Sequence, residues 1–433
     1  MTMHYRHYFS AAGHGTFFFG SLRNDEQKSS DAFTWVYDCG SLRKSHLKGL
    51  VSDFHDQMQD ENTLDMVCLS HFDSDHVSGL DLLLEHFRVD TLVLPYVPLE
   101  VRLRLASELS EEMPGAAGLA TYTLDPVFYL AERGLGNGIE RLAFIQGRSQ
   151  DGASESGVDS PFREEEGDEQ SITNGPRLQR SASRPLNAQD GYGSAANRQV
   201  EVYSDADAWC VNNIYEFVFY SKSWPDDCSP KSGTPLAQIA LLARAIITDY
   251  KLLGSGTPEP GWLAALQALY DEHFGKTYKR RNEISLCVFG AARAEHGILP
   301  CKIFQQSYPA NIALGPTQKD KHGILLTGDA YLNPTELQNL MAHLGKRSHH
   351  MGLLQVPHHG SSHNWSPGNA LKCSASHYVI CAPGTSKHPG ALVKNDLPSY
   401  ALADYVTTVS FDYHDNEEVS SSKPVRRNSF PHR

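Results

Sequence analysis

The segment LDMVCLSHFDSDHVSGLDLLL constrains this chain more than any other. An apolar run ending at Ser70 has the composition of a buried strand. His71, Asp73, Asp75 and His76 follow at once, and then a glycine and a helical pattern. A strand, a ligand-rich turn and a helix in that order put the turn at the end of a sheet. Alternate residues of an extended turn point the same way, so His71, Asp73 and Asp75 can converge while His76 turns toward a second ion.

The rest of the chain supplies the sheet. Strand-like runs at Thr16 to Phe19, Phe33 to Tyr37, Asp65 to Leu69 and Thr91 to Leu94 alternate with helical stretches near 46–59, 79–88 and 99–112, which indicates an α/β architecture. From about 146 to 200 the chain is rich in Ser, Gly, Glu, Gln and Arg and nearly empty of large apolar residues, so a loosely held surface insertion is expected. Asn213 to Ser221 resumes a strand pattern, and 235–275 reads as helical, with Leu236, Ile239, Ala240, Ala243 and Ile247 on one face. Strand patterns return at Ile284 to Phe289, Gly323 to Leu326, Leu353 to Val356 and His377 to Cys381, with a helix over 333–344. The expected organisation is an N-terminal half over 1–145, a low-complexity insertion over 146–210, a strand plus helical insertion over 211–282, a C-terminal half over 283–415 and a polar tail over 416–433.

Three later strands each present a metal-competent side chain just past their ends. ILLTGDA delivers Asp329, LLQVPHHGSSHNW delivers His358 and His359, and HYVICAPGTSKHPG leaves His388 beyond its end. Together with VYDCGS, where Asp38, Cys39 and Gly40 form an early D-x-G turn, these elements resemble the metallo-β-lactamase superfamily. The spelling is closest to the hydrolase domain of the ComEC type, which shows S-H-x-D-x-D-H, N-x-S-L, L-L-T-G-D, P-H-H-G-S and a final H-P. Here these stand at Ser70 to His76, Asn282 to Leu286, Leu325 to Asp329, Pro357 to Ser361 and His388-Pro389.

The resemblance implies an αββα sandwich with two divalent ions, zinc or manganese, at one edge of two apposed sheets. By match, His71 with Asp73 serves one ion, Asp75 with His76 the other, and Asp329 bridges them. His358 is the favoured further ligand, with His359 and His388 either ligating or contacting substrate. Asp75, Asp329 and His359 make the catalytic group, and Ser361, His388, Lys279 and Arg280 the substrate contacts. Asp73 stands where the superfamily has a second histidine, and His273, His296 and His322 lack a strand-end context. The second ion is therefore expected to be the weaker one, and the oxygen donors favour a hard ion such as Mn²⁺ beside Zn²⁺.

Composition narrows the partners. A formal net charge of -13 argues against a surface wholly committed to a polyanion, while GKTYKRRNEIS, with Lys276, Tyr278, Lys279, Arg280 and Arg281, could form a local basic groove or only a solvated face. No stretch reaches the roughly 20 apolar residues of a spanning helix, so a cytoplasmic protein without membrane contact is expected. The eight cysteines include no Cys-x-x-Cys pair, and Cys39, Cys68, Cys287 and Cys381 read as buried thiols. His7 and His14 are expected to be exposed or hydrogen-bonded rather than catalytic, and Ser361 and Ser362 could equally cap a turn. These features point first to a metal-dependent phosphodiesterase or nuclease acting on nucleic acid or a small phosphodiester. The alternatives are a hydrolase of a small ester, lactone or thioester, and a non-catalytic module in a multi-protein assembly such as an anti-phage system.

Overall fold

The computed structural model describes residues 2–24, 32–58, 61–110, 115–148, 177–187, 190–193, 199–212, 214–224, 230–253, 257–275, 284–293, 297–298, 302–307, 310–316, 321–383, 387–402 and 406–414. Central strands that are buried on both faces and nearly continuously apolar build two mixed sheets, of twelve and eight strands among the described residues. Neighbours in the first run Ala310–Pro316, Lys302–Ser307, Val406–His414, Thr2–Phe9, Phe17–Asn24, Phe33–Cys39, Thr63–Cys68, Arg88–Pro95, Ile139–Gln146, Gln199–Ser204 and Ser183–Pro185. The second runs Ala401–Leu402, His377–Ile380, Met351–Gln355, Gly323–Leu326, Cys287–Ala292, Tyr215–Tyr220, Trp209–Val211 and Leu178–Gln179.

Alternation assigns each side chain to a layer. Trp35, Tyr37, Val93, Ala143 and Ile145 of the first sheet meet Phe217, Phe219, Val288, Ile324, Leu326 and Val379 of the second in one shared core. The intervening Val36, Leu92, Leu94, Leu142 and Phe144 pack instead beneath helices Lys44–Met58 and Leu80–His86. On the far side, Val218, Phe289, Leu325, Leu354 and Ile380 lie beneath helix Pro334–Leu344. At about 25 cal/mol per Å² of apolar surface removed from water, three such layers are the main stabilising term.

The inserted helices are Leu236–Asp249 and Trp262–His273, and Ile239, Ala240, Ala243 and Ile247 form the buried face of the first, as the periodicity predicts. They pack on Leu99–Ser107 and Ala116–Leu124, with an Arg244–Asp125 ion pair of 2.8 Å tying them down.

The expected segmentation needs correction. Residues 146–210 are not wholly insertion: Gln199–Ser204 pairs in parallel with Ile139–Gln146, and Trp209–Val211 joins the second sheet. The V-E-V-Y alternation carries this strand, but the polar composition before it hides the signal. The C-terminal half reaches the first sheet as well, because Val406–His414 pairs with the first strand, Thr2–Phe9. That strand escapes notice because Tyr5, His7 and Phe9 all point inward, and an alternation through histidine does not read as apolar. The stretch 149–176 and the tail 416–433 lie outside the described residues.

The six described cysteines are buried free thiols, and burial pushes Cys287, Cys373 and Cys381 up to about 12. No helix among the described residues is long and apolar enough to cross a membrane.

Candidate metal centre

The ligand-rich turn sits at the carboxyl end of Thr63–Cys68, facing the carboxyl ends of Gly323–Leu326, Met351–Gln355 and His377–Ile380 from the other sheet. Binding sites of α/β folds favour this position. The sheets are tied together here: Leu286 N donates to Ser70 O at 2.8 Å, and Tyr37 Oη donates to Leu286 O at 2.8 Å. Gly40 is required by close approach, since a Cβ there would overlap the backbone of Asp75 and His76. Gly328 takes a left-handed φ of 52°, and a Cβ on it would lie 2.5 Å from Ser70 Cβ. Asp38, His358 and His359 also have positive φ, so unfavourable backbone is concentrated at this edge.

Two groups of side chains converge with the spacing of metal donors: His71, His76 and Asp329, and His14, Asp75 and His359. The first is buried, with relative exposures of 6%, 0% and 4%. His76 Nε2 stands 3.1 Å from Asp329 Oδ1, and His71 Nε2 stands 3.7 Å from Asp329 Oδ2. In the second, His359 Nε2 lies 3.0 Å and His14 Nε2 3.8 Å from Asp75 Oδ2. Asp329 Oδ1 is 4.0 Å from His359 Nε2, which places this carboxylate between the groups.

Hydrogen bonds on the far side of each ring decide what faces inward. Asp38 Oδ2 can only accept, so His76 Nδ1–H donates to it at 2.7 Å. Ser70 Oγ–H donates to the same carboxylate at 2.8 Å and therefore accepts from His71 Nδ1–H, also at 2.8 Å. His359 Nδ1–H donates to Cys381 O at 2.6 Å. Asn364 donates through Nδ2 to Asp329 O, so its Oδ1 accepts from His358 Nδ1–H at 2.7 Å. Four imidazoles thus donate outward through Nδ1 and turn Nε2 toward a carboxylate, the arrangement that outer hydrogen bonds impose on metal-binding histidines.

A lone pair facing a carboxylate oxygen at these distances repels it unless a cation or a proton lies between. Among the described residues no lysine or arginine pairs with Asp38, Asp75 or Asp329. His71 Nε2, His76 Nε2 and Asp329 Oδ1 are buried without a hydrogen-bond partner. Burial opposes protonation of His76, yet Asp329 and Asp38 drive its pKa well above the imidazole value; burial and His76 oppose protonation of His71, whose pKa Asp73 and Asp329 nonetheless raise. Asp329 is held well below the carboxylate range: burial alone would raise it, but His76 and His71 outweigh that. The donor set fits a divalent cation.

Other expected residues fall differently. His76 joins His71 and Asp329 rather than Asp75, because the Asp38 bond turns its ring inward, away from its neighbour. Asp73 belongs to neither group: its side chain is 58% exposed, with Oδ2 at 3.7 Å from His71 Nε2. His358 Nε2 lies 3.6 Å from Asp329 Oδ2 at the rim of the first group. His388 lines the mouth, 5.5 Å from the His14 ring and 6.4 Å from that of His358. Ser361 caps a turn, its Oγ accepting from His363 N at 3.2 Å. Lys279 and Arg280, with the rest of 276–283 and with His296, lie outside the described residues.

Two residues of this candidate site exceed the sequence reading. His14, expected to be uninvolved, is brought beside Asp75 by a loop that closes on the D-x-G turn through Leu42 N to His14 O and Gly40 N to Thr16 O. The flanking Gly13 and Gly15, at φ 71° and 155°, are the one local signal for it. Asp38 is matched in sequence only as a turn residue, whereas it orients both Ser70 and His76. No family model matches this chain, and no curated protein matches it.

Proposed function

We propose that this chain is a metal-dependent phosphodiesterase, its two sheets and flanking helices being the αββα sandwich of the metallo-β-lactamase superfamily. The observation that carries the reading is the set of four imidazole Nε2 atoms aimed at Asp75 and Asp329, with no lysine or arginine among the described residues paired to either carboxylate. His71, His76 and Asp329 would hold one divalent ion, and His14, Asp75 and His359 a second. Imidazole suits zinc and the carboxylates suit manganese. Bound ions of this kind acidify water and polarise a phosphoryl group.

The protein's own part is positioning. Asp38 and Ser70 fix the rings of His76 and His71, Cys381 O fixes His359, and Ser285 Oγ accepts from Asp329 N at 2.8 Å. His358 and His388 line the mouth, where their rings can contact an incoming phosphodiester. The ComEC-type order of five sequence elements favours a phosphodiester over other substrates. The net charge of -13 favours the second reading, a small ester, lactone or thioester. A non-catalytic module is the third reading, and it would keep its fold and its partner binding without metal.

The test is elemental analysis of protein purified without chelator, with wild type and Asp75→Ala assayed on single-stranded DNA, duplex DNA, RNA and bis-p-nitrophenyl phosphate with Mn²⁺ or Zn²⁺. Metal-dependent cleavage lost in the variant supports the proposal. Stoichiometric metal without phosphodiester cleavage moves the assignment to esters and thioesters, and absence of metal under all conditions leaves the binding module.

A further inference from the structure

Strand Met351–Gln355 ends on a polar residue in an apolar layer. Leu353 enters the core shared by the two sheets, and Gln355, two residues on, points to the same face. Its side chain is buried, at 1% relative exposure. A primary amide among apolar side chains costs stability unless its donors and acceptors are used. What Gln355 bonds to therefore shows what it is for.

Its oxygen Oε1 accepts from Thr327 N at 3.2 Å and from Gly328 N at 3.4 Å. Backbone N–H groups can only donate, so they fix which end of the amide is the oxygen. Nε2 then donates to Thr16 Oγ1 at 3.3 Å and to Cys381 Sγ at 3.6 Å. Both donors and both acceptor positions of the amide are occupied, so it has nothing left to offer an ion or a substrate. Each partner leads instead to a candidate metal donor. Gly328 precedes Asp329. Thr16 lies two residues after His14, and its N donates to Asp75 O at 3.1 Å. Cys381 O accepts from His359 Nδ1–H at 2.6 Å. One amide thus ties the loop of Asp329 to the supports of all three donors of the second group. His71 and His76 do not depend on it, since Ser70 and Asp38 anchor their rings.

We infer that Gln355 is a positioning residue that sets the second metal-binding group, His14, Asp75 and His359, at its distance from Asp329. Loss of the amide removes the tie of the His14 loop and one support of the Cys381 segment that holds His359. The first group keeps its own anchors, including the bond from Asp329 N to Ser285 Oγ. The two ions should therefore respond differently, the second weakening and the first staying. The inference rests on the metal-binding reading of the site and is independent of the substrate.

Titration of EDTA-treated protein with Zn²⁺, read by competition with a chromogenic chelator, measures both affinities without substrate. Gln355→Met removes the side-chain bonds at similar volume, and Thr16→Val removes only the hydroxyl that ties the His14 loop. Both should weaken the second zinc ion about tenfold or more and leave the first within about threefold, as expected when an outer partner of the donors is lost. Thr16→Ser keeps the hydroxyl and should bind both ions as wild type does. A residue that only supports the fold would weaken both ions together and lower the melting temperature of the metal-free protein. Equal weakening of the two ions, or an unchanged second ion in Thr16→Val, would overturn the inference. If Gln355→Met does not fold, the two Thr16 variants decide. The readings fail separately. Wild type that takes up no second zinc ion sinks the two-ion reading and this inference with it, whereas two ions held equally by wild type and Thr16→Val sink the positioning role alone.

Discussion

The two candidate metal-binding groups share Asp329 at their border but differ in how firmly they are built. His71 and His76 are buried, and both rings are anchored through Ser70 and Asp38 at 2.7–2.8 Å. In the other group only His359 is anchored in that way, through Cys381 O. The His14 side chain is 32% exposed on a loop between two glycines, with no hydrogen bond to its ring among the described residues, and Asp75 is held from one side by His359. A buried, pre-oriented donor set loses little freedom on taking up an ion, whereas an open one must be ordered by it. The first group should therefore bind metal tightly and the second adjustably.

The largest expected effect comes from erasing the border between the groups. Asp329→Ala should bring elemental metal content near zero and lower phosphodiesterase activity by about three orders of magnitude or more, since the carboxylate is a donor of the buried group and borders the other at 4.0 Å; retention of one tight ion would show the groups to be independent. Next is Asp38→Asn, which keeps the shape of the buried anchor but weakens its hold on His76 Nδ1–H. Metal affinity of the first group should fall roughly 10- to 100-fold, measured by competition with a chromogenic chelator. His14→Ala should act on the second group alone. We expect stoichiometry to fall from two ions to one with the tight ion unchanged, and loss of the tight ion instead would break the comparison.

The smallest effect separates the site from the fold around it. His7, in strand Thr2–Phe9, is pushed down to about 3 by burial. An unfolded histidine takes up its proton below about 6.5, the folded one only near 3, so through that window the unfolded chain binds more protons and stability falls as pH falls. The slope from this group is about 1.4 kcal/mol per pH unit. Urea unfolding of chelated protein between pH 6.5 and 4.5 should show it, and His7→Gln should flatten the curve; an unchanged slope would assign acid sensitivity to the site histidines.

Local pattern made much of this legible. Four donors packed behind one strand, and one or two behind each of three later strands, locate a candidate metal edge from the sequence, because strand ends deliver side chains to predictable places. Periodicity likewise placed Ile239, Ala240, Ala243 and Ile247 on the buried face of their helix. Strands Thr2–Phe9 and Gln199–Ser204 were hidden, one by histidine and tyrosine at inward positions and the other by the polar stretch before it. His14 was hidden because it lies 61 residues before Asp75 in a segment with no ligand pattern.

By itself the sequence determined that this chain is α/β and that histidines and aspartates, His71, Asp75, His76 and Asp329 among them, stand just past strand ends, since each statement depends on the local pattern of one strand and the turn after it. Tertiary structure alone decided the partition. Asp38 turns His76 toward Asp329, the turn-closing loop carries His14 to Asp75, and Gln355 ties Thr16 and Cys381 to the loop of Asp329. Each of these joins residues far apart in the chain, where only packing and hydrogen bonding across the sheets set the distance.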